Sequence, residues 1–136
     1  MLLLPYLVFK EELQHYEKKF DHIGSCYIKT IVMDNDNFKK ERYECYMRES
    51  DEAYRKYEYY KSKSNEAYSN GEIYLRSAES HDYYGREFDD EIHISEARED
   101  REKAEMYFSE AREYQQQADE YYNKYRNCRL EAQYYS

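Results

Sequence analysis

The chain has little that would interrupt a helix. Its 136 residues include only three Gly and one Pro, too few turn-makers for a sheet-rich fold and few enough for long helices. There is no Trp, and the large aliphatics are scarce: seven Leu, six Ile and two Val. A domain of this length has enough chain to bury a sizeable core, but here that core must be built from something else. Nor is there an apolar run long enough to cross a bilayer. MLLLPYLVF at the start is about half of the roughly 20 residues a crossing helix needs. It also lacks the basic stretch and small-residue cleavage site of a secretory leader. Cys26, Cys45 and Cys128 are an odd number without metal-ligand spacing, which points to a reducing, cytoplasmic setting. A Cys45–Cys128 disulfide is not expected, because Cys45 falls off the heptad stripe of its helix; buried or half-buried thiols are. No G-x-S-x-G, no Gly-rich phosphate cradle and no nucleophile motif is present, so no catalytic residue is assigned and an enzyme is not expected.

What the chain does have is charge and tyrosine. Charged residues make up 38%, and there are 20 Tyr. High charge alone would favour disorder, but disordered chains are poor in aromatics. Glu, Lys, Arg, Gln and Ala are strong helix formers. The net charge of −9 opposes binding to nucleic acid or to an anionic membrane, since both would repel it.

A fourteen-residue repeat organises most of the sequence. SEARE occurs at 95–99 and again at 109–113; SDEAY at 50–54 is repeated as SNEAY at 64–68. Fourteen residues are two heptads. One stripe runs Tyr43, Tyr46, Ser50, Ala53, Tyr57, Tyr60, Ser64, Ala67, Gly71, Tyr74, Ala78. A second runs Ala97, Asp100, Ala104, Tyr107, Ala111, Tyr114, Ala118, Tyr121, Tyr125, Cys128, Ala132, Tyr135. Steps of three and four alternate in both, as in a coiled coil. The stripes are out of phase, so the helix must break between them. Gly85 lies in the gap, and the spacing predicts a turn near 83–94. That joins helices of about 47 and 43 residues, roughly 65–70 Å each at ~1.5 Å per residue, as antiparallel neighbours. SNG at 69–71 is a competing helix stop. Tyr54, Tyr59, Tyr68, Tyr83, Tyr84, Tyr122 and Tyr134 fall outside the stripes and need another surface to cover them.

Residues 1–36 read differently. LLLPYLVF (2–9) and CYIKTIVM (26–33) are strand-like and EELQHYEKKF (11–20) is helical, with Asp36 placed to cap the first long helix. The expected fold is therefore mainly α: a long antiparallel helical hairpin or coiled coil with Tyr/Ala heptads over 37–136, preceded by a small α+β segment over 1–36.

Charge placement is the functional signal. Between Glu79 and Glu105 there are eleven acids and four bases, a net of −7, against 19 acids and 17 bases elsewhere. Most of the imbalance sits at the expected hairpin end. Solvated helix faces explain abundant charge but not its one-sidedness. A partner-binding surface is expected over Asp82, Glu87, Asp89, Asp90, Glu91, Glu96, Glu99 and Asp100, with Tyr83 and Tyr84 supplying contact area. The fitting partner is a protein with a basic surface, such as a nucleic-acid-processing enzyme. Small acidic inhibitors that phages make against restriction or CRISPR nucleases share this size and charge. A structural coiled coil, mating its stripes in a homodimer, is the alternative.

Metal chemistry is weaker. Glu12…His15 and Asp90…His93 have the Glu-x-x-His spacing of di-iron bundles, but the further inward carboxylates cannot be assigned and the surroundings are charged; solvated histidines are expected. His81, Asp82, Asp89, Asp90 and His93 gather near the turn, where an exposed acidic loop is the simpler reading. DNDNF at 34–38 has Phe38 where a calcium loop needs a ligand. No metal and no cofactor is assigned.

Overall fold

The computed structural model describes residues 35–136; the strand and helix expected over 1–33, and Glu12 and His15 with them, lie outside the described residues. Two long helices pack against each other as a hairpin: α1 (Asn35–Phe88) and α2 (Glu91–Tyr134). Both are longer than the stripes alone required. α1 begins at Asn35, so Asp36 lies in its first turn, where its charge favours the helix N-terminus.

The break falls at Asp89–Asp90, inside the expected window, and SNG at 69–71 remains helical. Gly85 does not make it. It is buried within α1, and a Cβ there would stand 2.8 Å from Ile94 Cγ1 and 3.3 Å from Ile94 N. Its role is close approach of the helices. The chain turns instead at Asp89, whose φ of 48° is left-handed. The amide of Asp90 donates to the Gly85 carbonyl at 3.1 Å, the closing bond of a helix end whose last residue is left-handed. Asp90 then caps α2, its Oδ1 accepting from Ile92 N at 2.9 Å.

The chain divides into two compact units, Arg55–Tyr122 and the ends around it, residues 35–54 with Asn123–Ser136. In the Arg55–Tyr122 unit the stripes mate as their spacing requires. Ala67, Ala78, Ala97, Ala104, Ala111 and Ala118 are buried. Between these small layers the tyrosines stack: Tyr60 on Tyr121 at 5.5 Å and Tyr74 on Tyr107 at 5.6 Å. Gly71 makes room for the Phe108 ring, which a Cβ would meet at 2.6 Å. Ser64 Oγ donates to the Ala111 carbonyl at 2.8 Å, and Lys61 Nζ to Gln115 Oε1 at 2.8 Å. Ring pairs also flank the seam, Tyr57 with Tyr122 and Tyr68 with Phe108. Part of the off-stripe tyrosine surface is thus covered within the chain. These pairs contribute about 0.5–1.5 kcal/mol each beyond area burial.

In the other unit, Tyr46, Cys128 and Ala132 form a small core with Met47 and Tyr135. Tyr46 stacks on Tyr135 at 5.9 Å, and Arg42 is buried with its guanidinium 4.5 Å from the Tyr135 centroid. Cys128 is a buried free thiol. Cys45 does not pair with it and is not a thiol: it is disulfide-bonded, its partner lying outside the described residues. This corrects the expectation of a thiol at Cys45, while Cys128 is the buried thiol expected.

Candidate functional site at the hairpin end

The acidic stretch lies within the Arg55–Tyr122 unit and surrounds the turn. Its residues do not form one surface. Asp82 is half-buried and ion-paired with Arg101 across the helices. Asp90 is the cap of α2. Asp100, at a seam position, accepts from Ser77 Oγ at 2.6 Å. Glu96 is half-buried beside two histidines. Glu87, Asp89, Glu91 and Glu99 are exposed. Of the eight acids expected at a partner surface, four turn outward and four hold the hairpin together.

Tyr83 and Tyr84 are exposed and packed edge to face, 5.5 Å apart. Tyr84 also stacks on Phe88 at 6.1 Å. Phe88 is 71% exposed, Ile92 68% and Ile94 42%. Sequence reasoning did not place these three at the partner surface. For Phe88 and Ile92 the signal was present: a large apolar residue directly before or just after an Asp-Asp turn has little seam left to enter.

The histidines are not the solvated side chains expected. His81 and His93 bring their Nδ1 atoms to 2.9 Å, with ring centroids 5.2 Å apart. Glu96 Oε2 stands 3.1 Å from His81 Nδ1 and 3.6 Å from His93 Nδ1. On the far side of each ring is an aspartate: Asp100 Oδ2 lies 3.8 Å from His81 Nε2, and Asp90 Oδ2 lies 3.7 Å from His93 Nε2. Among the described residues, His81, His93 and Glu96 form the group of potential metal ligands. The stripes contain this pairing. His81 lies three residues after Ala78, His93 lies four before Ala97, and the two face each other across the turn in the register that places Tyr60 against Tyr114. They form a layer of the seam made of imidazole instead of Ala and Tyr, with the buried Gly85 packed against Ile94 beyond it. The Asp90…His93 spacing serves this layer rather than a di-iron bundle.

No helix among the described residues is long and apolar enough to cross a membrane. No family model matches the chain, and neither the curated proteins nor the solved structures contain a match.

Proposed function

We propose that this is a non-catalytic binding protein that inserts the acidic end of its helical hairpin into a basic, nucleic-acid-binding site on another protein, as an inhibitor of a CRISPR or restriction nuclease would. The supporting observation is the composition of the turn. Phe88 and Ile92 are 71% and 68% exposed, and Glu87, Asp89 and Glu91 are exposed between and beside them. Apolar anchors with a charged surround are what a docking surface needs: burial of the anchors holds the complex, and the carboxylates steer it toward a basic groove and exclude acidic partners. Tyr83 and Tyr84 extend the apolar part.

The test is capture of a partner at low salt, then competition. The expected partner is basic, is released as salt rises, and is displaced by its own nucleic acid. Charge reversal at Glu87, Asp89 and Glu91, or Phe88→Ser, abolishes capture while far-UV circular dichroism stays unchanged. Capture that ignores both salt and these substitutions refutes the reading.

A second reading, self-association as a structural element, has support from Ile73 and Met106, 59% and 72% exposed. The Ala/Tyr seam is occupied within the chain, so a homodimer would use outward residues such as these. Light scattering of the wild type and of Ile73→Ser with Met106→Ser separates the two readings: a monomer in both disposes of the second.

A further inference from the structure

We propose that the histidine layer of the seam is a binding site for one divalent transition-metal ion, with His81 Nδ1, His93 Nδ1 and Glu96 Oε2 as its ligands. The proposal does not rest on docking to a basic partner.

The three atoms are separated by 2.9, 3.1 and 3.6 Å. In a tetrahedral zinc site with bonds of about 2.0–2.1 Å, ligand atoms stand roughly 3.3 Å apart. The observed triangle has a mean edge close to that. A point about 2.05 Å from all three atoms lies roughly 0.8 Å out of their plane, leaving the fourth vertex of the tetrahedron for water or another ligand. The three ligand atoms therefore stand at the spacing of one face of a zinc polyhedron.

Two Nδ1 atoms at 2.9 Å cannot both carry a hydrogen on the line between them. The ring centroids, 5.2 Å apart, lie nearly on that line, so the two lone-pair directions face each other as in an N–H···N bond, and ligation of one cation requires each ring to turn by about 45°. A single proton satisfies one pair and leaves Glu96 as an additional acceptor competing for it. A divalent cation satisfies all three.

A metal-binding histidine usually has its other ring nitrogen turned to a carboxylate or carbonyl, which fixes the ring and raises its basicity. Here a carboxylate oxygen stands near each rear nitrogen, 3.8 Å from His81 Nε2 and 3.7 Å from His93 Nε2, ion-pair distances longer than a hydrogen bond. Asp100 stands behind His81 and is itself held by Ser77 Oγ at 2.6 Å; Asp90 stands behind His93 and is held by its capping bond to Ile92 N. Two imidazoles, each with a positioned carboxylate at the rear and a shared carboxylate at the front, are a built arrangement, not scattered surface acids. The donor set of two imidazoles and one carboxylate suits zinc, copper, nickel or cobalt over calcium or magnesium, which take oxygen ligands. His81 comes from α1 and His93 and Glu96 from α2, so the ion would clamp the two helices beside their turn.

The experiment uses the full chain, without a polyhistidine tag, stripped with chelator. Zn(II) is titrated by calorimetry, and Co(II) is added as an optical probe, since tetrahedral cobalt absorbs strongly in the visible. The expected result is one ion per chain, a tetrahedral cobalt spectrum and a rise in melting temperature with zinc. His81→Asn, His93→Asn and Glu96→Gln each weaken binding by about tenfold or more, and Asp100→Asn, a positioning change, by about 10–100-fold with the stoichiometry kept. Glu87→Gln with Glu91→Gln leaves binding unchanged. Apo circular dichroism shows whether a variant has kept its fold; Glu96→Gln is the mildest change and carries the decision if a histidine variant unfolds. Absence of saturable one-to-one binding of Zn(II) or Co(II) overturns the proposal. So does binding that survives His81→Asn with His93→Asn, or that is lost with Glu87→Gln and Glu91→Gln, since either means a diffuse acidic surface.

Discussion

The turn rests on one residue in an unfavourable conformation, and its substitution tests the account of how the hairpin forms. Asp89 has φ 48°. Left-handed backbone costs an L-residue about 1–2 kcal/mol, less for Asp or Asn, whose short side chains bond locally. Glycine removes that cost, although it also widens the unfolded ensemble by a few tenths to about 1 kcal/mol. The charge of Asp89 adds little on balance. It sits at the negative end of α1 and just before the positive end of α2, and two opposed terms of about 0.3–1 kcal/mol nearly cancel. The net expectation for Asp89→Gly is a gain of up to about 1 kcal/mol, or up to about 4 °C in melting temperature. Asp89→Asn stays within about 0.3 kcal/mol of wild type, because it keeps the left-handed tolerance and removes only the cancelling charge. Asp89→Val loses about 1–2 kcal/mol, since a β-branched residue is a true outlier there. Urea and thermal unfolding monitored by circular dichroism, with chelator present, measure all three. The Gly gain should not change with salt. A Gly variant less stable than wild type, or a Val variant equal to it, would refute the argument, because the chain would then be turning without the left-handed residue.

Two further predictions concern buried groups along the helices. Ser50 Oγ is fully buried with no hydrogen-bond partner among the described residues, whereas Ser64 Oγ bonds across the seam. Ser50→Ala should stabilise by about 1–2 kcal/mol, removing an unsatisfied hydroxyl and adding a better helix former. Ser64→Ala should be neutral or cost up to about 1 kcal/mol. Equal effects in urea unfolding would contradict this. Burial, reinforced by Glu49, raises the Cys128 thiol from 9.0 to about 11. The fold prefers the protonated thiol, so its contribution is complete below about pH 9 and is lost as pH rises toward 11. Wild type should lose stability relative to Cys128→Ala across that window, and alkylation at about pH 8 should be slow until urea is added.

The hairpin was legible in the sequence because a heptad stripe encodes its own partner face. Ala and Tyr at alternating steps of three and four can bury only one side of a helix, and a phase slip between two stripes requires a turn. The position of the turn came from the slip; its chemistry did not. Gly85 drew attention as a breaker, yet glycine has two uses, left-handed backbone and close packing, and composition does not say which applies. The left-handed residue is the Asp four positions later. The acidic end was legible as an excess of charge. What each acid does depends on which side of the helix it faces, and that became fixed only with the register of α1 against α2. Asp82, Asp90, Glu96 and Asp100 found partners on Arg101, a helix end, two histidines and a serine. The histidine layer was within reach of the stripes, but His81 and His93 would stand about 18 Å apart on an unbroken helix. Only the turn brings them together, and counting histidines as surface residues concealed their register.

The division between inward and outward acids makes the two proposals separable. If the metal and the partner used the same carboxylates, loss of one would entail loss of the other, and neither could be tested alone. They do not. The inward acids serve the histidine layer and the hairpin, while Glu87, Asp89 and Glu91 are exposed around Phe88 and Ile92. A bound dication adds two positive charges at Glu96 and the histidines, yet the outward carboxylates keep their own charge in water, where screening acts over about 8 Å at physiological ionic strength. Capture of a basic partner should therefore survive Glu96→Gln, and zinc binding should survive charge reversal at the turn. Should the two rise and fall together, the acids of the hairpin end act as one field, and the separation by facing direction is wrong.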